Sequence, residues 1–343
     1  MRHKILVTGG AGYIGSHTTL ALLQAGYDVV VVDNLSNSSK ASLERVGDIA
    51  GRKPVFIEGD LRDAALLSQL FKDHSIESVL HFAGLKSVEE SAREPLRYFE
   101  NNLVSMLTLC QAMANANIFN FVFSSSATVY GTPSIVPIAE NHPAGQTTNP
   151  YGRSKFMIEQ MLADLANADP RWKIAILRYF NPVGAHASGR IGEDPNGVPN
   201  NLIPYICRVA VGTLTELKIF GNDYPTIDGT GVRDYIHVLD LADGHLSALD
   251  ALRRSCGTHI WNLGTGHGHS VLEVLKAFEE ISGRPIPYKI APRRTGDIAT
   301  CFADVSKAER ELGWKAKHTL NEMLRDAWNW QSTNPFGYKK VGD

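Results

Sequence analysis

The sequence predicts an α/β fold: a doubly wound parallel sheet with a smaller C-terminal α/β lobe. Two observations lead there. Over the first 180 residues, short β-branched runs alternate with amphipathic helical stretches, the rhythm of strand–helix–strand units whose helices cover both faces of a sheet. The runs Ile5-Leu6-Val7 and Val29-Val30-Val31-Val32 are apolar without interruption, as strands buried on both faces are.

Taken in order, strands are predicted over residues 4–8, 28–32, 54–58, 78–82, 121–124 and 173–178. Helices are predicted over 13–25, 64–73, 95–116 and 151–167. After Phe180 the rhythm changes. Residues 181–201 and 222–234 are rich in Gly, Pro and Asn and read as surface connections. Between and beyond them, helical patterns cover 202–211, 239–253, 271–281 and 320–330, with short strands at 218–220, 259–262 and 287–289. The expected division is a sheet domain over 1–180 and a lobe over 181–343 that closes on it. Their boundary is blurred, and segments can return to the sheet.

Composition excludes several function classes. Lys and Arg number 34 against 36 Asp and Glu, a net charge of −2. No basic block stands out, so neither a nucleic-acid footprint nor a membrane-surface patch is expected. No apolar run approaches the roughly 20 residues of a membrane span. Cys110, Cys207, Cys256 and Cys301 are scattered with no C-x-x-C, which argues against a disulfide framework and a structural zinc site. His267-Gly268-His269 and Cys256-x-x-His259 lack completing ligands nearby, so no metal is expected. The basic start Arg2-His3-Lys4 precedes only three apolar residues, too few for a secretory signal; the expected location is the cytoplasm.

Chemistry enters at Gly9-Gly10-Ala11-Gly12-Tyr13-Ile14-Gly15, between the first strand and the first helix. Gly9, Gly12 and Gly15 let the turn tighten, the backbone approach a pyrophosphate and the helix pack closely, while the helix N-terminus faces the phosphates. Asp33 ends the second strand, where a carboxylate accepts from an adenosine ribose 2′-hydroxyl and repels a 2′-phosphate. No Arg follows in Asn34-Leu35-Ser36-Asn37. The fold is therefore Rossmann-type and the cofactor NAD rather than NADP. Asp60 ends the third strand, either at the adenine edge or as the N-cap of the helix from Ala64. His81-Phe82-Ala83-Gly84 ends the fourth, on the sheet edge where ligands sit.

Ser124-Ser125-Ser126 ends the fifth strand, and Tyr151-Gly152-Arg153-Ser154-Lys155 opens the next long helix. Tyr151 and Lys155 share a helix face one turn apart. A lysine ammonium there is expected to favour the phenolate of Tyr151 over the usual phenol pKa near 10, with Ser126 orienting the substrate hydroxyl. This combination resembles the extended short-chain dehydrogenase/reductase family. Within it, the runs SSSATVYG (124–131), RYFNPVGA (178–185), GNDYPTIDGTGVRDYIHVLDLAD (221–243) and APRRTGD (291–297) are similar to the UDP-glucose 4-epimerases, and the likeness extends nearly to the end of the chain, through residues 328–331.

The resemblance implies specific roles. Ser126, Tyr151 and Lys155 match the catalytic trio, Tyr151 as base. Gly12, Tyr13, Ile14, Asp33, Asn34, Asn37, Ser38, Asp60, Leu61, Phe82, Ala83, Gly84, Lys86, Asn101 and Phe180 match positions that hold NAD, with Gly9, Gly15, Tyr151 and Lys155 beside them. Lys86, Ser126, Tyr151, Asn181, Asn201, Leu202, Lys218, Ile219, Phe220, Arg233, Arg294 and Asp297 match the nucleotide-sugar site. The implied reaction oxidises the sugar at C4 to a 4-ketose, turns it about its diphosphate link, and returns the same hydride to its other face. A homodimer built on helices 95–116 and 151–167 is also implied. Related dehydratases carry an Asp-Glu pair after the strand-end Ser or Thr; here Ala127-Thr128 follows Ser126, so dehydration is not expected. Cys301 matches a position beside the sugar 2-substituent. A small residue there implies acceptance of UDP-GlcNAc and UDP-GalNAc as well as UDP-glucose and UDP-galactose. The alternatives are a net reductase on the same scaffold, and a regulator that has lost its chemistry.

Overall fold

The computed structural model describes residues 3–294 and 296–339. Met1 and Arg2 of the amino-terminal run, Thr295 of the 291–297 run and residues 340–343 of the expected lobe lie outside it. The chain begins β1 (Lys4–Thr8), α1 (Tyr13–Gln24), β2 (Asp28–Asp33), α2 (Lys40–Ala50), β3 (Val55–Glu58), α3 (Ala64–Asp73) and β4 (Ser78–His81). Next come α4 (Val88–Arg93), α5 (Pro95–Phe99), a π-helical turn (Glu100–Val104), α6 (Ser105–Asn115), β5 (Asn120–Ser126), α7 (Pro150–Ala168) and β6 (Lys173–Tyr179). The second half runs β7 (Asn181–Val183), α8 (Leu202–Ala210), β8 (Leu217–Phe220), β9 (Val232–His237), α9 (Val238–Ala251) and β10 (Gly257–Leu263). It ends with β11 (Gly268–Ser270), α10 (Val271–Ser282), β12 (Tyr288–Ala291), β13 (Thr300–Cys301), α11 (Ser306–Leu312) and α12 (Leu320–Thr333).

Among the described residues, the central sheet has seven strands in the order β10-β6-β5-β4-β1-β2-β3, every neighbour parallel. Strand parity sorts its two cores. Ile5, Val7, Val29 and Val31 pack on one face with Leu20, Leu241 and Trp261. Leu6, Val30 and Val32 pack on the other with Leu67, Met106, Phe121 and Ile158. The uninterrupted apolar runs are thus strands covered on both sides. The order reverses between β1 and β4, which opens a crevice at the strands' carboxyl ends.

The second half returns β10 to this sheet beside β6 and lays α9 against α1. The rest forms its own sheet-backed core, in which Ile206, Ile219, Tyr235, Phe278 and Met323 pack together. Several local features differ from the sequence expectation. Residues 95–116 are not one regular helix: the π-turn widens it where the Asn102 side chain reaches inward to both Leu85 backbone groups, at 2.8 and 3.1 Å, and to Ser154. β9 begins inside the expected 222–234 connection. Its fully buried Asp234 reads as a loop residue, yet its carboxylate accepts from Thr265, Gly266 and Ala303. α2 and α4 were not anticipated, since Asn- and Ser-rich residues precede the first and the second spans only six residues.

Candidate active site

The Gly-rich turn sits in the crevice because nothing larger fits. Gly9 has φ +68°, and a Cβ on it would lie 2.6 Å from the Ala83 nitrogen; one on Gly15 would lie 2.2 Å from the Gly9 carbonyl. The turn is therefore pressed onto the Phe82–Ala83 backbone at the end of β4. Gly12 caps α1 without a side-chain acceptor, leaving the first N–H groups of that helix to other partners. The Asp33 carboxylate faces this turn, accepting from Ala11 N (3.0 Å), Leu35 N (2.9 Å) and Ser38 Oγ (2.8 Å). These close backbone approaches form a cradle that side chains would fill, and they fit a dinucleotide pyrophosphate. Asn34 donates to Asp60 at 3.2 Å. Arg62 holds the Asp60 carboxyl down at about 2. Asp60 does not cap α3: that bond comes from Asp63, which accepts from Ala65 and Leu66. Leu61 is buried, and Asn37 accepts from Asn196 N at 3.0 Å.

Catalytic candidates converge on the same edge. Ser126 ends β5, and its Oγ accepts from Thr128 N at 3.2 Å. Asn149 caps α7 by accepting from Gly152 N at 2.8 Å, with Pro150 at the first helical position. Tyr151 and Lys155 follow one turn apart. The Lys155 ammonium is buried, donates to the Ser124 carbonyl at 2.7 Å, and stands 4.8 Å over the Phe123 ring and 5.9 Å from the Tyr151 ring centre.

Burial acts against the expected phenolate. Burial pushes the Tyr151 phenol up to about 12, opposed by the Ser126 hydroxyl. Burial also pushes Lys155 down to about 8, with Glu159 acting in the other direction. Desolvation disfavours the charged form of each group, and so acts against the attraction anticipated from helical spacing.

Beneath the trio lies a network that sequence reasoning missed. Glu159, a further turn along α7, takes a bidentate bond from Arg178 of β6 (3.1 and 2.6 Å) and one from Ser125 Oγ at 2.5 Å. All three are buried. The available signals were an arginine within an apolar strand and a carboxylate continuing the 151, 155 spacing.

Residues 5–264 match the NAD dependent epimerase/dehydratase family. The chain belongs to this family. It is 60% identical to the UDP-glucose 4-epimerases of Bacillus subtilis (strain 168) and Haemophilus influenzae, over 98% of this chain and 99% of each relative. The crystal structure of UDP-glucose 4-epimerase from Bifidobacterium longum in complex with NAD+ and UDP superposes with a TM-score of 0.95 at 56% identity, covering 97% of this chain and 99% of that one.

Against that family background, the remaining candidates divide into those at the crevice and those in the lobe core. Tyr13 donates to the Gly184 carbonyl at 2.7 Å, joining the Gly-rich turn to the segment after β7. Phe180 lies buried at the end of β6, and Asn181 opens β7, which pairs with β9. Ile14 packs under the sheet, and Gly84 turns the chain beside Asn102. Asn101 is half-buried in the π-turn. Arg233 donates to the Val232 carbonyl at 2.9 Å, and the exposed Arg294 guanidinium lies 3.9 Å over the Phe220 ring. Asp297 N donates to the Arg294 carbonyl at 3.2 Å. Ile219 and Leu202 place their side chains in the lobe core, whereas Lys218 is exposed. Cys301 pairs with Arg233 across β13 and β9 and packs with Val129, Tyr130 and Phe180. Burial pushes its thiol up to about 11.

The signals set aside in the sequence have local partners. His269 pairs with Glu273 at 2.6 Å, and His259 stacks on Trp261.

Proposed function

We infer that this chain catalyses the reversible C4 epimerisation of UDP-glucose and UDP-galactose with bound NAD. The observation that carries the reading is the convergence of Ser126, Tyr151 and Lys155 on the crevice edge that also holds the Gly9–Gly15 turn, in a chain 60% identical to UDP-glucose 4-epimerases along nearly its whole length. NAD supplies reversible two-electron oxidation when bound. The Gly-rich turn and Asp33 hold it. Tyr151 takes the proton of the sugar 4-hydroxyl and returns it, Ser126 orients that hydroxyl, and Lys155 supplies positive charge from its anchor on Ser124. Arg233 and Arg294 are suited to a pyrophosphate because guanidinium forks bind phosphate oxygens directionally. Grip on the remote nucleotide lets the sugar ring turn without leaving.

Incubation with each of four UDP-hexoses, glucose, galactose and their N-acetylated counterparts, without added oxidant or reductant, tests this directly. Interconversion of C4 epimers with no net change in nicotinamide absorbance is expected. Stoichiometric NADH formation contradicts the reading and favours a net oxidoreductase.

Three finer points belong to the same proposal. Cys301 is a small side chain at a position the resemblance places beside the sugar 2-substituent, which supports turnover of the acetylated pair. A solved relative at 39% identity is described as the UDP-Glc/GlcNAc 4-epimerase from Campylobacter jejuni. Exposed Val104, Leu107 and Met157, with a groove of about 590 Å³ along α7 lined by Phe156, Met161 and Leu165, support a homodimer through α6 and α7. No described helix is long and apolar enough to cross a membrane, and the chain is read as cytoplasmic.

A further inference from the structure

Glu193 lies in the long connection between β7 and α8, and it gathers residues from both sides of the crevice. Its Oε1 accepts from Lys86 Nζ at 3.3 Å and from Asn201 Nδ2 at 3.2 Å. Lys86 comes from the loop after β4, at a position the resemblance matches to both NAD and the nucleotide sugar. Asn201 immediately precedes α8, at a position matched to the nucleotide sugar. The Glu193 side chain is 10% exposed and that of Lys86 48%, so a nearly buried anion holds a cation that reaches into solvent.

Two further observations show that this carboxylate is anchored. The Glu193 carbonyl accepts from Trp330 Nε1 of α12 at 3.1 Å. Three residues on, Asn196 bonds Asn37 and the Ser36 carbonyl at 3.0 and 3.1 Å, so the connection is fastened near Asp33 as well. Asn201 occupies the N-cap position of α8 yet makes no cap bond. Asparagine is among the best capping residues, and its amide is directed to Glu193 instead.

We propose that Glu193 is a positioning residue that couples NAD retention to nucleotide-sugar binding. By sharing one oxygen between Lys86 and Asn201, it makes each ligand's residue depend on the other's placement. Such coupling is reciprocal: whatever factor UDP contributes to holding NAD, NAD contributes to holding UDP. The inference rests on the functional reading above and on the family resemblance, which matches Lys86 to both ligands and Asn201 to the nucleotide sugar.

The experiment compares wild-type holoenzyme with Glu193→Gln, which keeps side-chain shape and the backbone bond to Trp330 but removes the charge. NAD loss after dilution is followed with and without saturating UDP. In the wild type, UDP is expected to slow NAD loss by about tenfold, within the usual range of coupling between sites. In E193Q the slowing falls below about twofold, and KM for UDP-galactose rises by about tenfold while kcat stays within about twofold. A merely structural tie would speed NAD loss equally with and without UDP. Lys86→Met and Asn201→Ala provide a second arm if E193Q folds poorly. Each removes one bond to Glu193, and the double variant should lose no more UDP protection than either single one. Undiminished UDP protection in these variants, or no protection in the wild type, overturns the coupling. A wild type that neither retains NAD nor interconverts UDP-hexoses overturns the functional reading itself.

Discussion

The two ends of the crevice are built on different principles. At the cofactor end, backbone meets backbone: Gly15 leaves 2.2 Å between a hypothetical Cβ and the Gly9 carbonyl, and three donors already fix Asp33. At the end proposed for the sugar nucleotide, long cationic side chains reach from strand ends and loops. Arg294 is exposed and rests on Phe220, and Lys218 is exposed beside it. A backbone cradle inside a packed sheet cannot adjust without disturbing the core, whereas a guanidinium on a flexible stem is completed by its ligand. On the proposed reading, folding alone shapes the first end and a ligand completes the second.

Tyr151→Phe gives the largest expected effect, because it acts where the two ends meet. It should lower turnover of UDP-galactose by about a thousandfold, within the range attributed to positioned acid–base groups. Bound NAD per chain should change far less than turnover, since most of the positions matched to NAD lie elsewhere. Retained turnover would remove Tyr151 from its role.

A pair of variants tests the comparison itself. Gly15→Ala forces a methyl group into the Gly9 carbonyl and should cost about 2–3 kcal/mol of stability, the scale of overpacking in a rigid core, together with bound NAD. Arg294→Ala should leave thermal stability and NAD content unchanged while raising KM for the UDP-sugar by about tenfold, the loss of one charge-assisted bond. Thermal melting, NAD content and steady-state kinetics on both variants separate the outcomes. If Arg294→Ala melts as early as Gly15→Ala, the two ends are not built differently.

The cofactor end should also be the acid-sensitive one. Burial pushes His17 and His81 down to about 3, and His245 down to about 4. His17 lies on α1, His81 ends β4 with a 2.8 Å bond to Thr8, and His245 of α9 packs at a tilt against Phe82. Their folded-state values lie below the unfolded value near 6.5, so the unfolded chain binds more protons between about 4 and 6.5. Stability is fully present above 6.5 and falls as pH drops through that window, by about 1.4 kcal/mol per pH unit for each histidine. Melting followed from pH 7 to pH 4.5 should show this decline, and a flat profile contradicts it.

Legibility in the sequence followed the same division. β1 and α3 lie within their expected bounds because apolar runs, β-branched residues and helical periodicity all agreed. The Gly-rich turn could be read because only glycine satisfies its geometry. What escaped was what polar side chains do once buried. Asp234 satisfies its carboxylate inside a strand, Asn102 widens a helix, and Glu159 clamps Arg178, each through partners distant in sequence. The Tyr151–Lys155 spacing was visible, but the desolvation that raises the phenol depends on everything packed around it.

Cys301→Tyr probes the finest difference, one between substrates. Cys301 is buried at the junction of β13 and β9, against Val129, Tyr130 and Phe180 and beside Arg233. On the proposed reading a phenol ring there would crowd the sugar 2-substituent, while the Gly-rich turn, Tyr151 and Lys155 are not among the packing partners of Cys301. Turnover of UDP-glucose and UDP-galactose should stay within about twofold, while that of UDP-GlcNAc and UDP-GalNAc falls by about tenfold or more, since a pocket wall excludes a bulky group more strongly than it favours a small one. NAD content should not move. Equal losses on both sugar pairs would mean that Cys301 supports the packing of β13 rather than the shape of the sugar pocket, and its raised thiol pKa of about 11 would then mark a core residue alone.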